Sequence, residues 1–369
     1  MNRPLQSQNF SITSEWANAT FNDIEDSLEG SFDIEPGQYI GRGEYFVATS
    51  GTGSKKFIKV VLGDGIDSEL NRRIEGEILA SSLHLPSTDL ISPVVIQYVK
   101  ESSNFPGDFY IVSDFKDDTE TLELSKASLP LTDLAKIGAF LFRLESVTVP
   151  PQNPARRAMD VLDGLSLLAN KGNIETGAQL TKGTIQALEI INQEATNIEN
   201  ALEKVTKVGS RKFFSHGDLK FSQFLINGET GKIFLCDWEE CGSAHFANDL
   251  CFLAGDLFYS TIRELVDTNI KNIKGSSIIQ EAYDNATLEA VSKVNAILTG
   301  YSSERGYSLT SDEKRIISIR IGLAGLFRLY TVSAKSNELR PRELALASIG
   351  MQITLGQAPN LVFTDSKVV

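Results

Sequence analysis

The chain has 369 residues, 41% hydrophobic and 22% charged, long enough for two compact lobes and without a low-complexity tract, which excludes the disordered and fibrous classes. Its net charge of −13 excludes a nucleic-acid backbone as the expected partner, because counterion release needs a basic surface; a cationic or neutral substrate suits it, and so does plain solubility. Three cysteines (Cys236, Cys241, Cys251) with no CxxC and only three histidines speak against a disulfide framework or a zinc site and fit a reducing, cytoplasmic setting, while neither a signal-peptide core nor an uninterrupted membrane-length apolar run is visible.

Residues 1 to about 35 are polar and acidic, and read as an arm or edge on the first lobe with a short helix over Thr20–Leu28. From Tyr39 the pattern turns to strands: Tyr39–Thr49 reads as strand, glycine turn, strand, Ser50–Ser54 as a second turn, and Lys55–Leu62 as a third strand. Gly41 and Gly43 would let a backbone approach a phosphate closely, since no Cβ intervenes, although a plain hairpin explains the same glycines. Gly51–Lys56 lacks the GxxxxGK[ST] spacing and reads as an exposed turn.

Lys59 stands between apolar neighbours in the third strand. A lysine there needs a carboxylate or phosphate partner if it is half-buried, or else faces solvent from an edge. The next segment, Ser68–Leu83, carries Leu70, Ile74, Ile78 and Leu79 at helical spacing. It offers Glu75 and Glu77 as partners for Lys59, with Glu75 preferred because Leu79 and Leu83 follow it along the apolar stripe. Leu90–Val99 and Asp108–Phe115 read as two more strands, which completes a five-strand, one-helix lobe over residues 1–116 with a hinge near Phe115.

Residues 117–369 are mostly helical. Leu131–Ser146 is amphipathic with Leu134, Ile137, Phe140, Leu141 and Leu144 inward. Met159–Leu168 continues the pattern, and Ala178–Val208 is one long helix or two. Asp249–Leu265, Ile279–Tyr301, Asp312–Lys335 and Arg340–Leu355 form a helical layer before a frayed tail at Thr364–Val369. Arg315, Arg320 and Arg328 are expected to pair with nearby acids.

Within this half, Phe213–Glu240 reads as strand, polar loop, strand, turn, strand. Asp218 leaves the first strand and Asp237 the last. One acid that orients a nucleophile beside one that holds a cation is the pairing that phosphoryl transfer needs.

His216-Gly217-Asp218-Leu219, then Asp237-Trp238-Glu239, then Asn248-Asp249-Leu250 resemble the HGDxxxxN, IDWE and DL motifs of the aminoglycoside phosphotransferase and choline kinase group of protein-kinase-like enzymes. The glycine turn, strand lysine, helix glutamate, hinge strand and the helix ending in Leu144-Glu145-Ser146-Val147 follow in the same order, so the resemblance spans roughly residues 37 to 260. It implies a two-lobed α+β fold, with a small five-stranded antiparallel N-lobe carrying one helix and a larger, mostly helical C-lobe. It also implies an ATP- and magnesium-dependent phosphotransferase with an alcohol acceptor. Asp218 would orient the attacking hydroxyl, Asp237 would bind Mg2+, and Lys59 with Glu75 would hold phosphates under Gly41 and Gly43. His216 and Asp249 would tie down the catalytic loop.

Two positions depart from the motif. Gln223 stands where asparagine is usual as a metal ligand, with its amide oxygen on a longer stem, and the maltokinase branch is similar in having glutamine there; Phe46 replaces a third loop glycine. The acceptor is either a hydroxyl-bearing small molecule such as an amino sugar, choline-like alcohol or sugar, or Ser/Thr of a precursor peptide that a lyase later dehydrates. A nucleotide-binding pseudokinase scaffold is the reading from another class. No membrane or nucleic-acid partner is implied, and the motifs do not speak to oligomeric state.

Overall fold

A computed structural model describes residues 32–36, 44–61, 68–103, 108–122, 129–149, 157–158, 181–206, 213–270, 276–333 and 337–356. The chain divides into two compact units, Met1–Ser82 with Val94–Asp118 and Leu83–Pro93 with Thr119–Val369. The boundary thus falls after Asp118, and 83–93 joins the second unit, where the sequence reading places the break after residue 116 and keeps 83–93 in the first. Gly41, Gly43, Thr20–Leu28, Met159–Leu168 and Thr364–Val369 lie outside the described residues.

In the first unit, β1 (Phe32–Pro36), β2 (Glu44–Ser50) and β3 (Lys55–Val61) are followed by α1 (Ser68–Ser82) and, after β4 (Ile91–Pro93) of the second unit, by β5 (Ile96–Glu101) and β6 (Phe109–Asp114). Five of these strands form an antiparallel sheet in the order β1-β2-β3-β6-β5. The period-2 alternation of β3 explains its place in the middle. Ile58 and Val60 are buried with Phe46, Ala48, Tyr110 and Val112 on one face, and Val61 packs with Ile96, Ile111 and Ile74 of α1 on the other. Phe46, which stands where a third loop glycine was expected, is therefore a core residue, 1% exposed.

Two strand expectations change. The sheet includes β1, ahead of Tyr39, which lies outside the described residues, and Ile34 of β1 packs against the core although acids flank it. Leu90–Val99 is not one strand. β4 joins the second unit, parallel to a later strand (Ile91 opposite Ile233), while β5 stays antiparallel to β6. Pro93 has no N–H to continue a ladder, and β4 accordingly sits at a sheet edge.

The second unit contains β7 (Thr119–Thr121), α2 (Leu131–Glu145), α3 (Lys182–Gln193), α4 (Ala195–Thr206), β8 (Phe213–Ser215), β9 (Phe224–Asn227), β10 (Ile233–Leu235), β11 (Gly242–Ala244), α5 (Asn248–Ile270), α6 (Ser276–Arg305), α7 (Ser311–Ser333) and α8 (Pro341–Thr354). All five apolar residues predicted inward on α2 are buried, which contributes on the order of 10 kcal/mol of apolar transfer energy. α2 and α6 cross so closely that a Cβ on Gly138 would lie 1.9 Å from the Ile297 carbonyl oxygen and one on Gly300 would lie 1.7 Å from that of Ala135. Arg143 closes the same crossing with a fork of two hydrogen bonds to Glu304 (2.8 and 3.2 Å).

α7 alone among the described helices is long and apolar enough to cross a membrane by length and composition, but 67% of its apolar window is buried inside the protein. Of its arginines, Arg328 pairs with an acid as expected, Asp256 at 2.9 Å, and Arg320 donates to Asn248 Oδ1 at 3.0 Å. Together with the five-stranded antiparallel sheet and single helix of the first unit, the helical second unit gives the two-lobed α+β architecture expected of a kinase-like chain.

Candidate active site

β8 pairs antiparallel with β11 (Ser215 opposite Gly242), and β9 with β10 (Phe224 opposite Leu235). The loop that leaves β8 is His216–Lys220, and it ends in a 3-10 turn over Phe221–Gln223. Gly217 adopts φ +90°, a left-handed conformation that favours glycine. That turn leaves His216 fully buried and Asp218 half-buried.

The loop backbone is tied from behind by Asp249, in the first turn of α5. Its Oδ1 accepts from Ser215 Oγ (2.7 Å) and Gly217 N (3.0 Å), and its Oδ2 from His216 N (2.7 Å). Burial raises the Asp249 carboxyl above the ordinary carboxylate range, while the His216 ring and these loop donors act in the opposite sense. His216 packs its ring 4.7 Å from that of Trp238, and its Nε2 lies 3.0 Å from the Cys236 carbonyl oxygen. A carbonyl only accepts, so Nε2 carries the proton and joins the loop to the segment that delivers Asp237. A second acid, Asp256 of α5, accepts from Phe221 N at 3.0 Å and holds the far end of the loop.

Four polar side chains meet in front of this frame. Lys220 Nζ lies 2.6 Å from Asp218 Oδ2, with the two side chains 32% and 27% exposed. Gln223 Nε2 donates to the same Asp218 oxygen at 3.1 Å and lies 3.5 Å from Asp237 Oδ2. Gln223 Oε1 accepts from the Lys220 backbone N–H at 3.0 Å. A backbone donor fixes which end of an amide is oxygen, so the NH2 group is the end that faces both aspartates. Asp237 itself is held at φ 70°, ψ 61°, a left-handed geometry that aspartate tolerates better than most residues.

The carboxylate of Asp237, with Asp218 close by, is a donor set that fits a hard divalent cation completing its shell with phosphate oxygens and water. As oriented here, Gln223 would supply its amide oxygen to such a cation only by turning over and releasing the Lys220 N–H. Cys236, Cys241 and Cys251 are all free thiols.

In the first unit, Lys59 is half-buried and shares a sheet face with Val61, which packs on Ile74 of α1. On α1, Glu77 is 4% exposed, whereas Glu75 is turned to solvent. Ile74 and Glu77 are three apart on one helix face, and Ile74 is the α1 residue that packs with Val61.

No family model matches the sequence, and no curated protein matches it. Solved structures do. An amicoumacin kinase in complex with AMP-PNP, Ca2+ and Ami superposes with a TM-score of 0.57 at 12% identity, covering 94% of this chain and 97% of the other. An ethanolamine kinase from Plasmodium vivax gives 0.53 at 12%, covering 94% and 92%. A macrolide 2'-phosphotransferase from Brachybacterium faecium, as apoenzyme, gives 0.50 at 12%, covering 89% and 97%. The chain has the protein-kinase-like fold of these proteins.

Within this kinase-like fold, several groups at the site have contacts to which the sequence assigns no role. Lys220 was visible only as a lysine two places after Asp218. Asn248 donates through Nδ2 to Ser215 Oγ (3.0 Å), and its Oδ1 takes the Arg320 guanidinium, so that α7 reaches the loop. Glu145, the last residue of α2, accepts from Ala247 N at 2.7 Å and from the Tyr301 hydroxyl. The residue is half-buried, yet its carboxyl is turned inward to line a small cavity with Ser215, Asn248, Asp249 and Tyr301. Burial, opposed by its hydrogen bonds to Tyr301 and Ala247, pushes that carboxyl up to about 7.

Proposed function

We propose that this chain is an ATP- and magnesium-dependent phosphotransferase that moves the γ-phosphoryl group to an alcohol on a small molecule. The observation that carries this reading is the convergence of Asp218 and Asp237 on the single Gln223 amide, in a loop whose backbone is clamped by Asp249.

Asp218 receives the acceptor hydroxyl. Its Oδ2 is already engaged by Lys220 and Gln223, which leaves Oδ1 to orient the hydroxyl and take its proton. A loose transition state asks for orientation more than for a strong base. Lys220 keeps the carboxylate in place and adds positive charge where the transferring group passes. Asp237 would hold magnesium, which when bound would neutralise phosphate charge. Lys59 binds phosphate oxygens and is oriented from α1 by Glu77, the buried acid, in place of Glu75. His216 and Asp249 keep the loop in shape without touching substrate.

ADP release from ATP with magnesium, measured over a panel of amino alcohols, amino sugars, sugars and Ser/Thr peptides, tests the reading. Turnover with a small alcohol is expected, and Asp218→Asn or Asp237→Asn should each lower it by about 100-fold or more. Turnover on peptides alone would move the acceptor to precursor peptides. Nucleotide binding without turnover on any acceptor would replace the enzyme by a nucleotide-binding scaffold.

A further inference from the structure

We propose that Glu145 and Tyr301 are positioning residues for the catalytic loop, acting through the left-handed backbone of Ala247. The inference rests on the reading of Asp218 as the catalytic acid-base group.

Ala247 is 2% exposed and has φ 58°, a conformation that an L residue with a Cβ holds only when its surroundings impose it. It stands immediately before α5, and its carbonyl accepts from Cys251 N at 3.0 Å to start that helix. Its own N–H points away from the helix onto Glu145 Oε1. The next two residues are Asn248 and Asp249, which together bind the hydroxyl of Ser215 and the N–H groups of His216 and Gly217. A rotation at Ala247 would swing both away from the loop. Glu145 therefore sets the backbone angle from which Asp249 reaches the loop, and the loop carries Asp218.

Tyr301 holds Glu145 in turn. It is 1% exposed, stands edge-on to Phe142 at 5.4 Å between centroids, and gives its hydroxyl to the second Glu145 oxygen. The two side chains meet because the Gly138 and Gly300 crossing lets α2 and α6 touch backbone to backbone. Packing alone does not call for this pair. A carboxyl taken out of water is unfavourable unless its bonds are needed, and an apolar side chain of similar volume would fill the space at lower cost. The acceptor oxygen facing Ala247 is the part that has no apolar substitute. Protonated or not, the carboxyl keeps that oxygen, since the proton can sit on the side of Tyr301. An amide should therefore do the same work, and a hydrocarbon should not.

Amide hydrogen exchange of the folded protein at His216 and Gly217, read against the β3 amides of the first unit, tests this without relying on activity. Glu145→Leu is expected to speed exchange at both loop amides by about tenfold or more with the β3 amides unchanged, while Glu145→Gln stays within about threefold of the parent. In phosphotransfer, the leucine variant should lose about tenfold in kcat with the nucleotide KM within about twofold, and glutamine should restore kcat. Loop exchange within about twofold of the parent in the leucine variant, or a glutamine variant as fast as leucine, would overturn the proposal. Should the leucine variant not fold, Tyr301→Phe takes its place, with exchange at His216 and Gly217 expected to rise by about threefold and an unchanged rate refuting it. A parent protein with no phosphotransfer at all defeats the proposed activity, while the exchange result still decides the positioning role.

Discussion

Replacing Glu145 by glutamine should abolish a pH dependence of stability that this one carboxyl imposes. In the folded protein the carboxyl is pushed from an ordinary 4.5 to about 7, so the folded state binds its proton more tightly than the unfolded chain does. Stability therefore falls as pH rises from the unfolded value towards the folded one, and levels off above it. The size follows from the two values: a gap of about 2.5 at about 1.36 kcal/mol each amounts to about 3 kcal/mol. The glutamine variant keeps an acceptor for Ala247 and a donor for Tyr301, and it has no proton to lose. Burial also raises the Asp249 carboxyl, which tilts both proteins alike, so only the difference between them is read. Urea unfolding at intervals from pH 4.5 to 8, followed by the fluorescence of the buried Trp238 in a Trp16→Phe background, gives that difference directly. Glutamine should gain on the parent by about 3 kcal/mol across the window, nearly all of it below pH 7.5. Curves that stay parallel over the whole range would refute the argument, because Glu145 would then be no harder to ionise in the folded protein than in water.

Asp249→Asn presents an NH2 group to the His216 N–H that Oδ2 now accepts. It should cost about 3 kcal/mol in urea unfolding from one lost charge-assisted bond and one stranded donor, and a loss under about 1 kcal/mol would mean the clamp is not as drawn. Because Gln223 spends its amide oxygen on Lys220 N, Gln223→Ala should lower kcat while leaving the magnesium concentration for half-maximal turnover within about twofold; a tenfold rise would make Gln223 a metal ligand. Gly300→Ala sets a methyl 1.7 Å from the Ala135 carbonyl oxygen and should destabilise the second unit by about 3 kcal/mol, measured by thermal or urea unfolding.

Much of the architecture is legible in the sequence, because it is written in local pattern. The 3.6-residue period of Leu134, Ile137, Phe140, Leu141 and Leu144 named the inner face of α2, and all five are buried. Alternation in Lys55–Val61 gave a strand, and the order of polar loops between short apolar runs placed Asp218 and Asp237 at strand exits. Ala178–Val208 reads by pattern as one helix or two, and its described residues, 181–206, form α3 and α4 around Glu194.

What the pattern misjudged depends on partners distant in sequence. On α1 helical spacing puts Ile78 on the apolar stripe, yet it is 48% exposed, while Glu77 is buried; the phase of a weakly amphipathic helix is decided by the sheet it covers, not by its own residues. Leu90–Val99 looks continuous, but Pro93 ends one ladder and β5 joins another, and only the positions of β10 and β6 determine that. The direction of the Gln223 amide needed the Lys220 N–H, and the contact of Glu145 with Tyr301, 156 positions apart, needed two glycines that let their helices touch. The sequence by itself determined the elements and the two aspartates at strand exits, since motif and periodicity act over a few residues. Tertiary structure alone decided which oxygen faces which donor, because hydrogen bonds are made at ~3 Å between groups that the chain brings together only on folding.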